Sequence, residues 1–174
     1  AMGLLLAAAR RIAEGDRVIR AGGWTEVDPG WMLGTEVTGK TLGIVGFGRI
    51  GQALARRAKG FEMRILYASP RPVEFPGAER VALEDLLSRS DFVSLHVPLT
   101  PGTANLISRE RLQLVKRGAV LVNTARGPVL DDEAVAEALR DGRLAAAGLD
   151  VFRDEPRVPA VYRALDNAVL TPHL

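Results

Sequence analysis

A chain of 174 residues, 47% hydrophobic and 25% charged, suffices for one soluble domain; at this length about 70% of the unfolded surface can be buried. A net charge of only +2, with the basic residues dispersed, offers no stripe for nucleic acid despite a pI near 9.4. The absence of cysteine rules out a disulfide framework or thiolate metal site and fits a cytoplasmic protein.

Residues 4–20 are predicted as a single helix, with Leu5, Ala8, Ala9, Ile12 and Ile19 on one stripe and arginines opposite. Its apolar start, 4–9, is too short to span a bilayer. Arg10-Arg11 follow it and no basic residue precedes it, unlike a signal peptide, so no membrane association is expected. Gly22-Gly23 end the helix. An irregular arm up to Gly39 carries both tryptophans, Trp24 and Trp31, and Pro29. A segment of this length without regular structure is expected to wrap something or to pack on a partner.

Residues 41–51 form the centre of the sequence. The apolar run Thr41-Leu42-Gly43-Ile44-Val45 feeds Gly46-Phe47-Gly48-Arg49-Ile50-Gly51, and residues 52–58 continue as a helix. Strand, G-x-G-x-x-G and helix in that order mark a dinucleotide site. Gly46 permits the tight turn, Gly48 lets backbone approach a pyrophosphate, and Gly51 allows close packing of helix on strand. The free N–H groups of the first helical turn then face the phosphates.

Further strands are predicted at 63–67, 91–97, 119–123, 145–149 and 168–170. Between them lie a Pro-rich loop at 68–76, a helix at 83–90, and a helix capped by Ser108 that runs to about Val115. Another helix, from Asp131 or Asp132 to Arg140, is closed by Asp141-Gly142. Continuously apolar strands alternating with helices predict an α/β Rossmann fold, a doubly wound parallel sheet in the order 3-2-1-4-5-6 with helices on both faces. Ligands of such sheets sit beyond the carboxyl ends of the strands. Gly46, Ser69, Pro98, Arg126, Asp150 and His173 all fall there.

Five segments in this order carry a resemblance: Gly46 to Gly51, Leu95-His96-Val97-Pro98-Leu99-Thr100, Asn123-Thr124-Ala125-Arg126-Gly127, Gly148-Leu149-Asp150-Val151-Phe152 with Glu155-Pro156, and Leu170-Thr171-Pro172-His173. Together they resemble the nucleotide-binding half of the D-isomer-specific 2-hydroxyacid dehydrogenases. Arg57-Ala58-Lys59-Gly60-Phe61 and Ile65-Leu66-Tyr67 are most similar to the glyoxylate/hydroxypyruvate reductase branch. The resemblance implies hydride exchange between a nicotinamide and C2 of a small 2-oxo/2-hydroxy acid. Arg126 would fork onto the substrate carboxylate and carbonyl oxygen. His173 would give a proton to that oxygen, with Glu155 orienting the imidazole and favouring its charged form. Gly46, Gly48, Arg49, Ile50 and Gly51 are the expected contacts to the pyrophosphate end of the cofactor. Ser69, Arg71, Val97, Pro98, Thr103, Thr124, Ala125 and Asp150 are the other expected cofactor contacts, Asp150 at the nicotinamide ring. Taken singly, Arg126 could pair a surface carboxylate and Asp150 could cap a loop. His96, inside a strand, reads as a satisfied core histidine.

Sites that bind NAD(H) place a carboxylate at the end of the second strand, to accept from the ribose 2′-OH. Here that place holds Ser69, with Arg71 close behind and no acid before Glu74, which favours NADP(H) over NAD(H). The resemblance further implies a homodimer through the nucleotide domain, with helix 4–21 and arm 22–39 as its contacts. It also implies a second, lid-like domain that these 174 residues lack. Met2 behind Ala1 adds to the expectation of an excised domain, weak or inactive alone. The rival expectation is a dinucleotide-sensing module of the corepressor kind. Hydrolase or metal chemistry has no H-E-x-x-H or G-x-S-x-G to rest on.

Overall fold

Alternate residues of the inner strands feed two different cores. In the computed structural model, which describes residues 1–174, Ala119 and Leu121 belong to one buried cluster and Val120 and Val122 to the other. Such alternation within continuously apolar strands is what a sheet covered on both faces requires.

The strands are β1 (Thr41–Val45), β2 (Arg64–Ala68), β3 (Ala78–Arg80), β4 (Phe92–Leu95), β5 (Ala119–Asn123), β6 (Leu144–Leu149) and β7 (Ala168–Leu170). All pair in parallel, in the order β3-β2-β1-β4-β5-β6-β7. The expected order 3-2-1-4-5-6 holds and gains a seventh strand. Its third member, however, is β3, which lies between the loop expected at 68–76 and the helix expected at 83–90, where no element is predicted. The runs expected as third to sixth are therefore β4 to β7. Three residues with exposed Glu79 and Arg80 carry no apolar run from which to infer a strand.

The helices are α1 (Met2–Ala9), α2 (Ile12–Arg20), α3 (Arg49–Ala58), α4 (Leu83–Arg89), α5 (Arg109–Leu114), α6 (Asp132–Arg140) and α7 (Ala160–Arg163). On one face of the sheet, α1 and α3 bury Leu4, Leu5, Ala8, Leu54, Ala55 and Ala58. On the other, α4, α5 and α6 bury Leu86, Leu87, Leu112, Val135 and Leu139. Ser108 and Asp131 cap as expected, accepting from the N–H groups of Arg111 and Ala134. No helix is long and apolar enough to cross a membrane.

The expected single helix over 4–20 is two helices. The returning arm explains the break: Thr35 N–H donates to Ala9 O at 2.8 Å, taking a carbonyl that helix continuation would use. Arg11 then turns left-handed, with φ of 53°. Only the first half of the predicted stripe is buried. The whole of α2 lacks a buried residue, and Ile12 and Ile19 are exposed.

Candidate active site and dinucleotide cleft

The β1–α3 turn builds the first part of the site. Gly46 adopts φ of +90°, and a Cβ there would lie 2.6 Å from His96 O. A Cβ on Gly51 would lie 2.5 Å from Gly46 O, so helix and turn touch only because both are glycine. Gly48 caps α3 in an extended conformation, and nothing lies within 4 Å of where its Cβ would be. The first helical bond is Gln52 N–H to Gly48 O at 3.0 Å, so the N–H groups of Arg49, Ile50 and Gly51 have no helical acceptor. Gln52 Nε2 also donates to Phe47 O at 3.1 Å, a brace for the turn that the motif alone does not reveal. Open space at Gly48 beside unpaired donors at a helix N-terminus fits a pyrophosphate. Ile50 is exposed at this end, whereas Phe47 is buried and stacked on Tyr67.

Beside the turn runs a cleft of about 650 Å³ over the ends of β1 and β2. Val45, Ala68, Val81, Leu83, Val97 and Leu106 make it apolar, and Ser69, Arg80 and Thr103 are its polar members. Three expected cofactor residues, Ser69, Val97 and Thr103, therefore meet here. Thr103 Oγ1 donates to Pro98 O at 2.6 Å and shapes the neighbouring loop. Arg71, expected beside Ser69, is exposed and does not line this cleft. The chain has turned away at Pro70, whose carbonyl is held by Arg80 Nη2 at 3.1 Å.

The remaining residues meet at the other end of the strand termini. Asn123, fully buried at the end of β5, accepts from Ala125 N–H through Oδ1 and donates to Arg126 O through Nδ2, each at 3.0 Å. This brace fixes the loop that exposes Arg126, while Ala125 sinks into the core and Thr124 is half-buried. A Cβ on Gly127 would overlap the backbone of Phe152 and Arg153, so the Arg126 loop and the Glu155 loop are in backbone contact. Glu155 Oε1 accepts from Phe152 N–H at 2.9 Å, and Oε2 meets His173 Nδ1 at 2.8 Å. The His173 imidazole, followed by the Phe152 N–H, holds the Glu155 carboxyl below the usual range.

Asp150 secures the segment bearing His173. Its backbone oxygen accepts from His173 N–H at 2.9 Å, and its buried Oδ1 accepts from the Thr171 hydroxyl and from Leu174 N–H. Oδ2 makes no hydrogen bond to the chain. Arg153 pins the Glu155 loop to Leu130 O at 2.8 Å and Asn105 Oδ1 at 2.9 Å. His96 stands apart: its Nε2 meets Ser94 Oγ at 2.9 Å, and burial lowers its pKa to about 4. Arg126 Nη1 donates to Ala125 O at 2.6 Å, and its charge acts on Glu155. An exposed guanidinium on one loop and a carboxylate-backed imidazole held by the loop it touches can bind a carboxylate and move a proton.

Comparison with known proteins identifies the family and the fold. Residues 2–174 match the family model described as D-isomer specific 2-hydroxyacid dehydrogenase, NAD binding domain. A glyoxylate reductase of Thermococcus litoralis is 52% identical over 182 residues, covering 100% of this chain and 55% of that protein. The solved TT0316 protein of Thermus thermophilus superposes with a TM-score of 0.95 at 52% identity, over 99% of this chain and 55% of that one. An acyclic imino acid reductase solved with NADPH and D-arginine has a TM-score of 0.89 at 33% identity, over 99% of this chain and 55% of its own. The chain thus spans about half the length of the relatives it matches. On this evidence it belongs to the NAD-binding domain family of the D-isomer-specific 2-hydroxyacid dehydrogenases.

Proposed function

We propose that this chain is the nucleotide-binding half of a cytoplasmic, NADP(H)-preferring reductase of small 2-oxo acids of the glyoxylate or hydroxypyruvate type. The observation that carries the reading is the Glu155–His173 contact at 2.8 Å, formed on a loop in backbone contact with the one that exposes Arg126. When bound, the reduced nicotinamide supplies a hydride to C2 of the 2-oxo acid. Arg126 holds the substrate carboxylate through paired N–H donors. His173, engaged by Glu155 through Nδ1, offers Nε2 as the proton donor to the carbonyl oxygen. Asp150, whose Oδ2 makes no hydrogen bond to the chain, is assigned to the nicotinamide end together with the half-buried Thr124, while Ala125 supports this rim from the core. Arg49, Ile50 and the three glycines take the pyrophosphate. Ser69, Val97, Pro98 and Thr103 take the adenosine half, and Arg71 stands beyond them. Preference for NADP(H) rests on Ser69 occupying the place where a carboxylate would read the ribose 2′-OH. The acyclic imino acid reductase solved with NADPH is in keeping with it.

The exposed side chains of α2 and the arm support assembly as a homodimer through this domain. The side chains of His173 and Glu155 are 50% and 36% exposed, so water reaches the pair. Isolated as these 174 residues, the polypeptide is therefore expected to bind dinucleotide and to reduce glyoxylate slowly.

Two measurements test the proposal. Millimolar NADPH is expected to raise the melting temperature of the chain, and protection by neither nicotinamide nucleotide rules out the cofactor reading. Oxamate, a 2-oxo acid mimic that is not reduced, should bind the chain–NADPH complex, and Arg126→Ala should weaken it about tenfold or more. Unchanged oxamate affinity in that variant removes Arg126 from the site.

A further inference from the structure

We infer that Arg80, on the edge strand β3, is the cation that reads the 2′-phosphate of NADP(H), in the role the sequence pattern gives to Arg71. The inference rests on the dinucleotide reading above and deepens it. A dinucleotide with its pyrophosphate at the start of α3 lays its adenosine half toward β2, with the ribose 2′ position at the end of that strand. Arg80 lines the cleft there, on the same rim as Ser69.

Its guanidinium is already held in place. Nε and Nη2 donate to Ser69 O at 3.2 and 3.1 Å, and Nη2 also donates to Pro70 O at 3.1 Å. These bonds occupy one side of the fork, and Nη1 makes no hydrogen bond to the chain. A cation fixed before the ligand arrives loses little side-chain freedom on binding. Its charge is also uncompensated, because the partners are neutral carbonyls. The neighbouring Glu79 is taken by both terminal nitrogens of Arg89, at 2.9 and 3.0 Å, and Glu84 by Arg111. Arg71 has no such preparation: it is exposed, makes no hydrogen bond and does not line the cleft.

The test is fluorescence titration of the 174-residue chain and its variants with NADPH and with NADH. Arg80→Gln should weaken NADPH about ten- to hundredfold, the range of a charge-assisted contact, while NADH changes by less than about threefold. Arg80→Lys should keep part of the preference, and Arg71→Gln should leave the ratio of the two affinities where it was. Adenosine 2′,5′-bisphosphate, competed against AMP, should report the same difference without a nicotinamide half. Equal weakening of NADPH and NADH by Arg80→Gln means the side chain only supports the loop, and overturns the inference. Loss of the preference in Arg71→Gln but not in Arg80→Gln overturns it as well. Wild-type chain that binds both dinucleotides, with a ratio unmoved by Arg80→Gln, overturns this inference alone. Wild-type chain that binds neither overturns the dinucleotide reading together with it.

Discussion

The two histidines differ in what surrounds their rings. His173 is half-exposed, with one nitrogen on Glu155 and the other open. His96 is mostly buried against Ser94, and burial lowers its pKa from 6.5 to about 4. The folded protein therefore favours the neutral ring of His96, while the unfolded chain takes up a proton as pH falls below 6.5. Because the folded value is the lower one, the stability is complete above pH 6.5 and is lost progressively as pH falls toward 4. Thermal melts across that window should show a steeper loss in the parent chain than in His96→Gln. Parallel curves would remove His96 as a contributor. The residue scale also shows why the bracing role of some residues escaped the sequence pattern. Asn123 reads as the last residue of an apolar strand, yet its side chain closes two backbone hydrogen bonds that only the folded turn presents.

At the scale of the element, the β1–α3 turn separates fold from binding in two neighbouring glycines. Gly48 faces open space, so Gly48→Ala costs less than about 1 kcal/mol as an N-cap change. The new methyl group stands where a pyrophosphate would approach, and NADPH affinity should fall about tenfold or more, a loss of at least 1.4 kcal/mol. Gly51 faces the Gly46 carbonyl, so Gly51→Ala should destabilise by about 1–3 kcal/mol through overpacking. Melting temperature and NADPH titration on both variants check this, and a Gly48→Ala chain that binds normally would move the pyrophosphate elsewhere. Elements were legible in proportion to their length and burial. The apolar runs of β1, β4 and β5 stand out, whereas β3 and α7, with three and four residues, have no period to read. The break between α1 and α2 was hidden for another reason: its cause, the Thr35 N–H, lies 26 residues downstream of the Ala9 carbonyl it occupies.

For the whole molecule, the part outside both cores is the informative one. Ile12, Ile19, Trp24, Val27, Trp31 and Leu33 are all exposed, so neither tryptophan folds back to complete its own domain. Apolar side chains grouped along one helix and its arm fit a twofold contact between copies. Sedimentation should show association that rises with concentration above the 18.7 kDa of one chain. An Ile19→Asp, Trp24→Ser variant should stay monomeric. A parent chain that sediments as a monomer at every concentration rejects the dimer.

The amino-acid sequence by itself determined the covered parallel sheet and the glycine turn, and it singled out Arg126, Glu155 and His173 as candidates, because periodicity, turn chemistry and short motifs are local properties. Which residues share a rim is not local. Arg80 meets Ser69 only because β3 pairs beside β2, and the Arg126 loop meets the Glu155 loop only because Gly127 lets two backbones touch. Those juxtapositions depend on strand pairing and loop packing between distant parts of the chain, so the tertiary structure alone decided them.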